Sequence, residues 1–443
     1  MVNVNRCIIL LFCLLAISSC VVLPITRKAK LAKAIRKSSV FAGNFTGFAL
    51  YDPEKQEVLY AHQDDKYYTP ASNTKLLTFY AGLKMLGNQV PALQYWKEGG
   101  KLYFTGTGDP SFLHPDLNKK DSTKAKSPAY AWLKNQKDTL VYVERPFSDK
   151  RLGPGWAWDD YNSAYSVERS SFPIHGNFVR FNYDSINDRL KVQPAFFSSY
   201  LLNDTTRERR IKRELNENYF AYGKLPDSLE QDVPFRTSKV IKLALLNDTL
   251  PQRITIYKGK KPDSLYTYYS IPADSIYAPM LKASDNFIAE QILLLCSSVY
   301  QDTLSSFWTI EEMKKRYLNN LLPDTVAWYD GSGLSRYNLQ TPRNLIRLLQ
   351  AIREEVNDDE RLFSLMAAGG ESGTIKNWYA GNNEPYVYAK TGTLRNKHCL
   401  SGYIKTDSGN ILLFSFMHNN YTFSTSRLKE EMNGVLQLIK DKF

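Results

Sequence analysis

The chain has 443 residues, of which 43% are apolar and 23% charged, so it can carry two or three domains and is not an intrinsically disordered chain. Its net charge of +12 is spread without one long basic run, which favours anionic envelope polymers or lipid surfaces as partners over nucleic acid. The five histidines lack the spacing of metal ligands, and the sequence predicts neither a metal nor another cofactor.

The first segment, residues 1–19, is predicted to be a secretory signal peptide. A short polar start ends at Arg6, an apolar stretch follows, and small residues close the segment, which is too short for a confident membrane-spanning helix. Its end, ISSC, resembles a bacterial lipoprotein cleavage box, which would make Cys20 the lipidated first residue of the mature chain. Ordinary cleavage nearby and an uncleaved anchor are the alternatives.

The remaining cysteines offer two possibilities. Cys7 and Cys13 would leave with the signal peptide, so only Cys296 and Cys399 would stay besides the lipidated residue. These two could form a disulfide in an oxidising periplasm, or they could be separate buried thiols, because each lies in an apolar stretch.

The next elements are a linker, a strand pair and a helix. Residues 20–39 are basic and are predicted to form a linker. The sequence FTGFALYDPEKQEVLYAHQ (45–63) predicts two strands joined by a turn at 53–56. The sequence ASNTKLLTFYAGLKML (71–86) predicts a helix, since Leu76, Tyr80 and Leu83 recur at helical spacing.

The C-terminal part completes the same domain. YVYAKTGTLR, LSGYIK and ILLFSFMHN predict three more strands, and a closing helix follows with apolar positions at Leu428, Met432, Val435, Leu436 and Ile439. We therefore predict an α/β (α+β) fold, with one antiparallel five-stranded sheet flanked by helices. This domain would comprise residues 40–89 and 266–443, and residues 90–265, which show no fixed-period repeat, would form one or two inserted subdomains.

The predicted helix at 71–86 begins with a possible catalytic pair. Ser72 and Lys75 are three residues apart, so they share one face of a helix and the amine can reach the hydroxyl. A lysine whose pKa is lowered can take the proton of a serine and make it a nucleophile. The alternative is a solvated helix start, with serine as a cap and lysine as surface charge.

Two further motifs contain residue types that suit the same chemistry. Ser284 and Asn286 precede an apolar helical run, and side chains two apart in an extended segment point the same way. Lys390, Thr391 and Thr393 lie on a predicted strand whose intervening glycine permits close backbone approach. Taken singly, the first motif could be a helix cap and the second an edge strand with a solvated lysine.

Together, Ser-x-x-Lys, Ser-x-Asn and Lys-Thr-Gly, in this order, resemble the signature of penicillin-binding proteins and serine β-lactamases. Ser72 and Ser284 are 212 positions apart, which the insertion would explain. YDGSGLSRYNL (329–339), GTGDPSF (106–112) and GPGWAWDD (153–160) are similar to the D-alanyl-D-alanine carboxypeptidase/endopeptidase family, the class C low-molecular-mass penicillin-binding proteins. The resemblance implies a β-lactamase-like transpeptidase domain with an insertion that leans over the cleft.

The resemblance also implies a reaction. The substrates would be peptidoglycan stem peptides ending in D-Ala-D-Ala, which β-lactams imitate as covalent inhibitors. Ser72 would attack and Lys75 would take its proton, while Ser284 would relay a proton to the departing amine. Asn286 would orient the lysine and the substrate amide, and backbone N–H groups of Ser72 and Thr393 would form an oxyanion hole.

Other roles follow from the family resemblance alone. Lys390 would help to keep Lys75 neutral, and with Thr391 and Thr393 it would bind the terminal carboxylate. The residues expected to face the diamino acid of the stem peptide are Asp160 for its amine, Tyr165 for its hydrocarbon, Arg336 for its carboxylate and Arg395 for the same pocket. The alternative for these four is structural or surface placement.

Two other functions were weighed. A serine β-lactamase would share the acylation step, but the Glu-x-x-Leu-Asn string of one such class does not follow Asn286. A non-enzymatic scaffold that binds peptidoglycan or envelope partners would not need the full set of reactive side chains, all of which the sequence retains. The sequence therefore favours the peptidase.

Overall fold

The structure is a computed structural model that describes residues 26–117, 127–204 and 209–443. The predicted signal peptide at 1–19 and the lipidation site Cys20 lie outside these ranges. Among the described helices, none has the length and apolar character needed to cross a bilayer.

The centre of the molecule is an antiparallel sheet that unites both ends of the chain. Its strands, in spatial order, are Ala367–Ala368, Val387–Leu394, Lys397–Lys405, Ile411–Asn419, Phe45–Asp52 and Glu57–His62. The five predicted strands are all present, and a two-residue sixth strand adds to one edge. The predicted mixed fold, with helices on an antiparallel sheet, is confirmed.

Both faces of this sheet are apolar because the side chains alternate along each strand. Phe48 and Leu50 enter the core on one face, and Ala49 and Tyr51 enter the core on the other. The pairing of Leu50 with Phe414 fixes the register between the first and last strands. Helices cover both faces, so the central strands Lys397–Lys405 and Ile411–Asn419 are buried on two sides, whereas the edge strand Glu57–His62 is only partly buried.

The described ranges contain α-helices, short 3₁₀ turns and a π turn. The α-helices are Arg27–Arg36, Ser39–Ala42, Lys75–Met85, Pro128–Lys134, Lys239–Thr249, Asp274–Lys282, Asn286–Tyr300, Ser306–Met313, Asn319–Leu321, Pro342–Val356, Asp359–Leu365 and Thr425–Lys442. Short 3₁₀ turns occupy Ala71–Thr74, Trp158–Asn162, His175–Asn177, Ala195–Tyr200 and Gly373–Ile375, and Lys314–Leu318 forms a π turn.

The helices Lys75–Met85 and Asn286–Tyr300 pack together on the face that carries the predicted site. The second of these begins at a defined place because the carboxylate of Asp285 accepts a hydrogen bond from the Ile288 N–H. This cap puts Asn286 at the first helical position and leaves Ser284 just outside the helix.

On the opposite face of the sheet, a helix occupies part of the segment that was predicted to be a linker. Arg27–Arg36 is a helix within the predicted 20–39 linker, with Leu31 and Ile35 buried against the sheet core. The helix also packs on the C-terminal helix Thr425–Lys442, whose five predicted apolar positions are all buried. The segment RKAKLAKAIR consists of good helix formers and has Leu31 and Ile35 four positions apart on one face, and docking on the core stabilises this short helix.

The middle of the chain forms a second core rich in aromatic residues. One five-stranded sheet has the order Thr255–Ile256, Thr139–Tyr142, Lys101–Gly106, Gln89–Glu98 and Tyr266–Pro272. Two three-stranded sheets contain Ser228–Pro234, Phe178–Asp184 and Arg189–Gln193, and Leu201–Asn203, Phe220–Tyr222 and Lys212–Arg213. The strand Tyr266–Pro272 pairs with Gln89–Glu98, so the pairing extends past the predicted boundary at 265.

Cys296 and Cys399 are both buried and unpaired with each other. Cys296 lies in the helix Asn286–Tyr300 and Cys399 lies in the strand Lys397–Lys405. Of the two possibilities left by the sequence, the structure shows separate buried thiols.

Candidate active site

The candidate nucleophile lies on a tight turn before a buried helix. Ala71–Thr74 forms a 3₁₀ turn, which we call the nucleophile turn, and the α-helix begins at Lys75. The turn brings the Lys75 Nζ to 2.9 Å from the Ser72 Oγ. Ser72 is partly exposed, whereas Lys75 is completely buried. The hydroxyl is thus accessible from the cleft while the amine behind it is shielded from water.

Lys75 is held by three oxygen acceptors. Besides the Ser72 hydroxyl, its Nζ donates to the Asn286 Oδ1 and to the Ser332 carbonyl oxygen, each at 2.6 Å. Burial lowers the pKa of Lys75 to about 8. The negative charge of Asp330 raises this pKa and is the largest of the opposing contributions. The amine can therefore lose its proton close to neutral pH.

The second buried lysine, Lys390, is joined to the second serine. Its Nζ donates to the Ser284 Oγ at 2.9 Å and to the Thr391 carbonyl oxygen at 2.8 Å. Burial holds the pKa of Lys390 well below its ordinary value, and the charge of Lys75 lowers it further. Positive charge on either lysine consequently disfavours positive charge on the other.

The strand Val387–Leu394, here called the lysine strand, lies against the nucleophile turn. Ala367–Ala368 pairs only with Tyr388 and Ala389 of this strand, so the edge beyond them faces the turn. The Asn73 Nδ2 donates to the Lys390 carbonyl oxygen at 2.9 Å. A Cβ on Gly392 would lie 2.4 Å from the Pro70 carbonyl oxygen, so only glycine permits this approach.

The two threonines of the lysine strand have different neighbours. The Thr391 Oγ1 lies 2.7 Å from the Thr374 Oγ1, and the Thr393 Oγ1 lies 2.9 Å from the Nδ1 of His398. Thr391 is buried, whereas Thr393 is exposed. Thr393 is therefore the more accessible of the two residues, although its hydroxyl also contacts the buried His398.

A loop at 330–338 supplies the carbonyl that faces Lys75. The fully buried Asp330 carboxylate accepts from the N–H groups of Gly333 and Ser335 at 2.9 and 2.6 Å. It also accepts from the Trp156 indole at 2.9 Å, which ties the GPGW segment to this loop. A Cβ on Gly333 would lie 1.9 Å from the Ala71 carbonyl oxygen, so this loop presses directly on the nucleophile turn.

Sequence reasoning missed a buried carboxylate and its arginine. The Glu290 Oε1 accepts from the Ser332 N–H at 2.8 Å, and Arg169 lies 3.5 Å from the other carboxylate oxygen. Burial, followed by the charge of Asp330, raises the pKa of Glu290 to about 7. Glu290 fixes the N–H of Ser332, the residue whose own carbonyl oxygen accepts from Lys75. The available signal was an acidic residue inside the apolar helical run FIAEQILLL, four positions after Asn286.

The predicted substrate-facing residues are divided. The Asn286 Nδ2 donates to the Tyr165 carbonyl oxygen at 2.9 Å, and the Tyr165 hydroxyl donates to the Asp160 Oδ1 at 2.7 Å. These two residues therefore lie beside the lysine cluster. Arg336 and Arg395 are both exposed, and within the described ranges neither guanidinium has a hydrogen bond or an ion pair. The structure thus places Arg336 on the 330–338 loop and Arg395 in the turn after the lysine strand.

Within residues 26–117, 127–204 and 209–443, no three histidine, cysteine or acidic side chains lie together in a way that could hold a metal ion.

This arrangement defines a class of protein. A serine hydroxyl against a buried lysine, beside a second serine–lysine pair on a strand edge, is typical of serine acyl-transfer enzymes of the penicillin-binding and β-lactamase class.

Residues 27–442 match the model of the D-Ala-D-Ala carboxypeptidase 3 (S13) family. The chain belongs to this family and is a serine peptidase, a hydrolase. It is 27% identical over 447 residues to a D-alanyl-D-alanine carboxypeptidase of an Actinomadura species, a match that covers 88% of this chain and 80% of that protein.

Solved structures agree on the fold. Penicillin-binding protein 4 from Haemophilus influenzae matches with a TM-score of 0.71 at 18% identity, covering 94% of this chain and 99% of that one. The same protein complexed with a β-lactam matches with a TM-score of 0.66 at 16% identity and the same coverage.

Proposed function

We propose that this peptidase acts on peptidoglycan stem peptides ending in D-Ala-D-Ala through an acyl-enzyme on Ser72, and that β-lactams acylate the same serine. The observation that carries the proposal is the 2.9 Å contact between the Ser72 Oγ and the Nζ of the completely buried Lys75. The family relatives named as D-alanyl-D-alanine carboxypeptidases support the substrate, and the β-lactam complex of the Haemophilus protein supports the inhibitor class.

In the first step, the Ser72 oxygen attacks the carbonyl carbon of the penultimate D-alanine while neutral Lys75 takes the hydroxyl proton. The bond to the terminal D-alanine nitrogen then breaks, and the departing amine receives, through the Ser284 hydroxyl, the proton that Lys75 accepted from Ser72. Water hydrolyses the resulting ester and restores Ser72. The backbone N–H groups of Ser72 and Thr393 stabilise the oxyanion, a contact whose loss typically costs about 3 kcal/mol of barrier.

Binding of the terminal carboxylate is assigned to the lysine strand. The Lys390 ammonium provides the positive charge, and the hydroxyls of Thr391 and Thr393 donate hydrogen bonds. In the unliganded protein the charge of Lys75 lowers the pKa of Lys390, so the ammonium form of Lys390 is assigned to the complex, in which the substrate carboxylate stabilises it. Because the two buried lysines disfavour each other's charge, Lys75 is then the neutral one. Asn286, which accepts from Lys75, orients the amine toward Ser72.

The diamino acid of the stem peptide is assigned to the cleft rim. Asp160 binds its amine, Tyr165 contacts its hydrocarbon, and Arg336 and Arg395 pair with its free carboxylate. The hydrogen bonds that connect Asp160 through Tyr165 to Asn286 support the first two assignments. The two exposed guanidinium groups support the others, since each is available to a ligand.

The direct test is labelling with a fluorescent penicillin. The wild-type protein is expected to form a stable adduct, and Ser72→Ala is expected to form none while unfolding at the same temperature. Labelling of Ser72→Ala at another residue would contradict the proposal. Rapid loss of the wild-type label together with the opened drug would indicate a β-lactamase instead.

Mass spectrometry of purified muropeptides separates the two peptidase activities. Loss of one terminal D-alanine identifies a carboxypeptidase, and conversion of crosslinked dimers to monomers identifies an endopeptidase. If the folded, penicillin-labelled protein forms neither of these products, peptidoglycan as the substrate is contradicted.

We also propose that the enzyme is exported to the periplasmic side of the envelope and anchored through lipid at Cys20. The basis is the signal-like segment 1–19 and the ISSC sequence that ends at Cys20. Metabolic labelling with an alkyne fatty acid is expected to mark the wild-type protein and not Cys20→Ser. Equal labelling of both would contradict the anchor.

A further inference from the structure

Two histidines lie side by side in the central sheet, and only one of them adjoins the candidate site. His398 and His418 are cross-strand partners, and both are completely buried. The His398 Nδ1 lies 2.9 Å from the Thr393 Oγ1, and the His418 Nδ1 lies 3.0 Å from the Thr46 Oγ1. Each histidine therefore uses the same ring nitrogen to contact a threonine hydroxyl.

Burial makes both rings neutral. It lowers the pKa of His398 to about 3 and holds the pKa of His418 well below its ordinary value. A neutral imidazole carries one N–H and one bare nitrogen, and the choice decides whether the threonine donates or accepts. The direction of the hydrogen bond at Thr393 thus depends on the His398 tautomer.

The surroundings favour a proton on Nδ1. Among the described residues the Nε2 atoms of His398 and His418 are buried and have no hydrogen-bond partner. A buried donor without an acceptor is rarer in proteins than an acceptor without a donor, so the bare nitrogen belongs at Nε2. The proton then lies on Nδ1, and His398 donates to the Thr393 oxygen.

The second histidine supports this tautomer independently. The Thr46 hydroxyl has one proton and two nearby acceptors, the Phe41 carbonyl oxygen at 3.2 Å and the Asn44 Oδ1 at 2.9 Å. Because that proton is used on one of them, Thr46 accepts from the His418 Nδ1. The equivalent geometry at His398 leaves the proton of Thr393 unused.

We propose that His398 is a positioning residue, which donates to the Thr393 oxygen and so directs the Thr393 hydroxyl proton toward the carboxylate of the substrate. This inference rests on the proposed function, in which the lysine strand binds that carboxylate. A carboxylate only accepts hydrogen bonds, so a threonine that donates to His398 could not also donate to the substrate. Thr393 is an exposed residue of the lysine strand, which packs against the nucleophile turn, so a ligand bound at this strand can reach it.

The test compares two peptide substrates on matched variants. One substrate is a diacyl-lysyl-D-Ala-D-Ala peptide with a free carboxylate, and the other is its C-terminal amide. The variants are His398→Leu, which removes the donor, His398→Asn, whose side-chain amide can donate from a similar position, and His418→Leu. His418→Leu removes an equally buried ring from the neighbouring strand without touching Thr393.

His398→Leu is expected to lower kcat/KM for the free acid by roughly 3- to 10-fold, the range associated with one neutral hydrogen bond, and to leave kcat/KM for the amide nearly unchanged. His398→Asn is expected to restore most of the loss, and His418→Leu to show no preference between substrates. An equal loss on both substrates, or a gain on the free acid, would overturn the proposal.

Nitrogen NMR of the wild-type side chains provides a measurement that does not depend on the variants folding. A proton on the His398 Nδ1 is expected, and a proton on Nε2 would overturn the inference. Failure of the proposed function would be recognised differently, because Ser72→Ala would then still hydrolyse the free-acid peptide.

Discussion

The floor and the rim of the cleft differ in how their side chains are held. Lys75, Lys390 and Glu290 on the floor are each 0% exposed and bonded to internal partners, whereas Tyr165 on the rim is 48% exposed and Arg336 lies in solvent. The floor is therefore organised by internal contacts of the fold, whereas the rim keeps side-chain groups exposed to solvent. Changes to the floor should alter rate and stability together, and changes to the rim should alter selectivity alone.

The largest expected effect separates the two floor lysines. Lys75→Arg is expected to lower the rate of penicillin acylation by about 10³-fold, because a guanidinium stays protonated and cannot act as the base. Lys390→Arg keeps a cation for the carboxylate and should lose only about tenfold. Stopped-flow acylation measures both, and equal losses would show that the lysines do not have distinct roles.

The second effect concerns stability. The lowered pKa of Lys75, about 8 against an ordinary 10.5, means that the folded state binds fewer protons than the unfolded state between these pH values. The free energy of unfolding therefore increases as pH rises through this window. Below the window, burial of the charged Lys75 amine lowers the free energy of unfolding by roughly 3 kcal/mol. Lys75→Met should raise the free energy of unfolding at pH 7 by up to that amount.

Urea titrations at pH 7 and above pH 10 measure this difference, with exposed Lys101→Met as the control that should change little at either pH. A destabilised Lys75→Met protein at pH 7 would contradict the assignment of a strained, buried amine to this position.

The third effect is a shift of the pH profile. Acylation should increase with pH up to the pKa of Lys75, and the charges facing that amine are Lys390, Asp330, Asp285 and Glu290. Glu290→Gln keeps an acceptor for the Ser332 N–H but removes one negative charge. The pKa of Lys75 should therefore fall, and the rising limb, the part of the profile in which the acylation rate rises with pH, should move to lower pH by roughly one unit.

Gln291 provides the matched control for this profile. It is the next residue on the same helix and is equally buried, but it bonds to Gly108 and Ser170 and not to the site. Gln291→Ala should lower stability and leave the position of the limb unchanged. A limb that stays in place in Glu290→Gln would show that this carboxylate does not influence Lys75.

The smallest effect belongs to the rim. Asp160→Asn should lower kcat/KM by roughly fivefold for peptides whose diamino acid carries a free amine, which is the size of a solvent-exposed charge pair. Penicillin acylation should stay unchanged, since the drug lacks that group. An equal loss of penicillin acylation would show that Asp160 affects the acylation step, as the floor residues are expected to do.

The predicted strands and the Ser72–Lys75 pair could be read from the sequence because each depends on local spacing, whereas the convergence of the three motifs was implied by the family resemblance. Alternating apolar residues define strands such as Phe45–Asp52, and the positions three apart place Lys75 beside Ser72. The first strand and the last three could be placed in one sheet because each has an apolar face that needs the same cover.

The missed features depend on partners distant in sequence. Glu290 acts on a loop more than forty positions away, and Arg169 reaches it from the inserted region. The acidic residue within the apolar run FIAEQILLL marks Glu290 as unusual, but no local pattern reveals its partners. The helix Arg27–Arg36 packs on the C-terminal helix, a contact between the two ends of the chain that the linker prediction did not include. His398 gave no signal either, because its role depends on the strand register that sets it opposite Thr393.

The nucleophile turn is enclosed from two directions by glycines that lie far away in the chain. Gly392 approaches Pro70 and Asn73 from the lysine strand, and Gly333 approaches Ala71 from the 330–338 loop, and neither position has room for one more methyl group. The turn that carries Ser72 is thus held in one position by the packing of the two segments against it. Its alignment is completed once, during folding, and does not have to be repeated in each catalytic cycle.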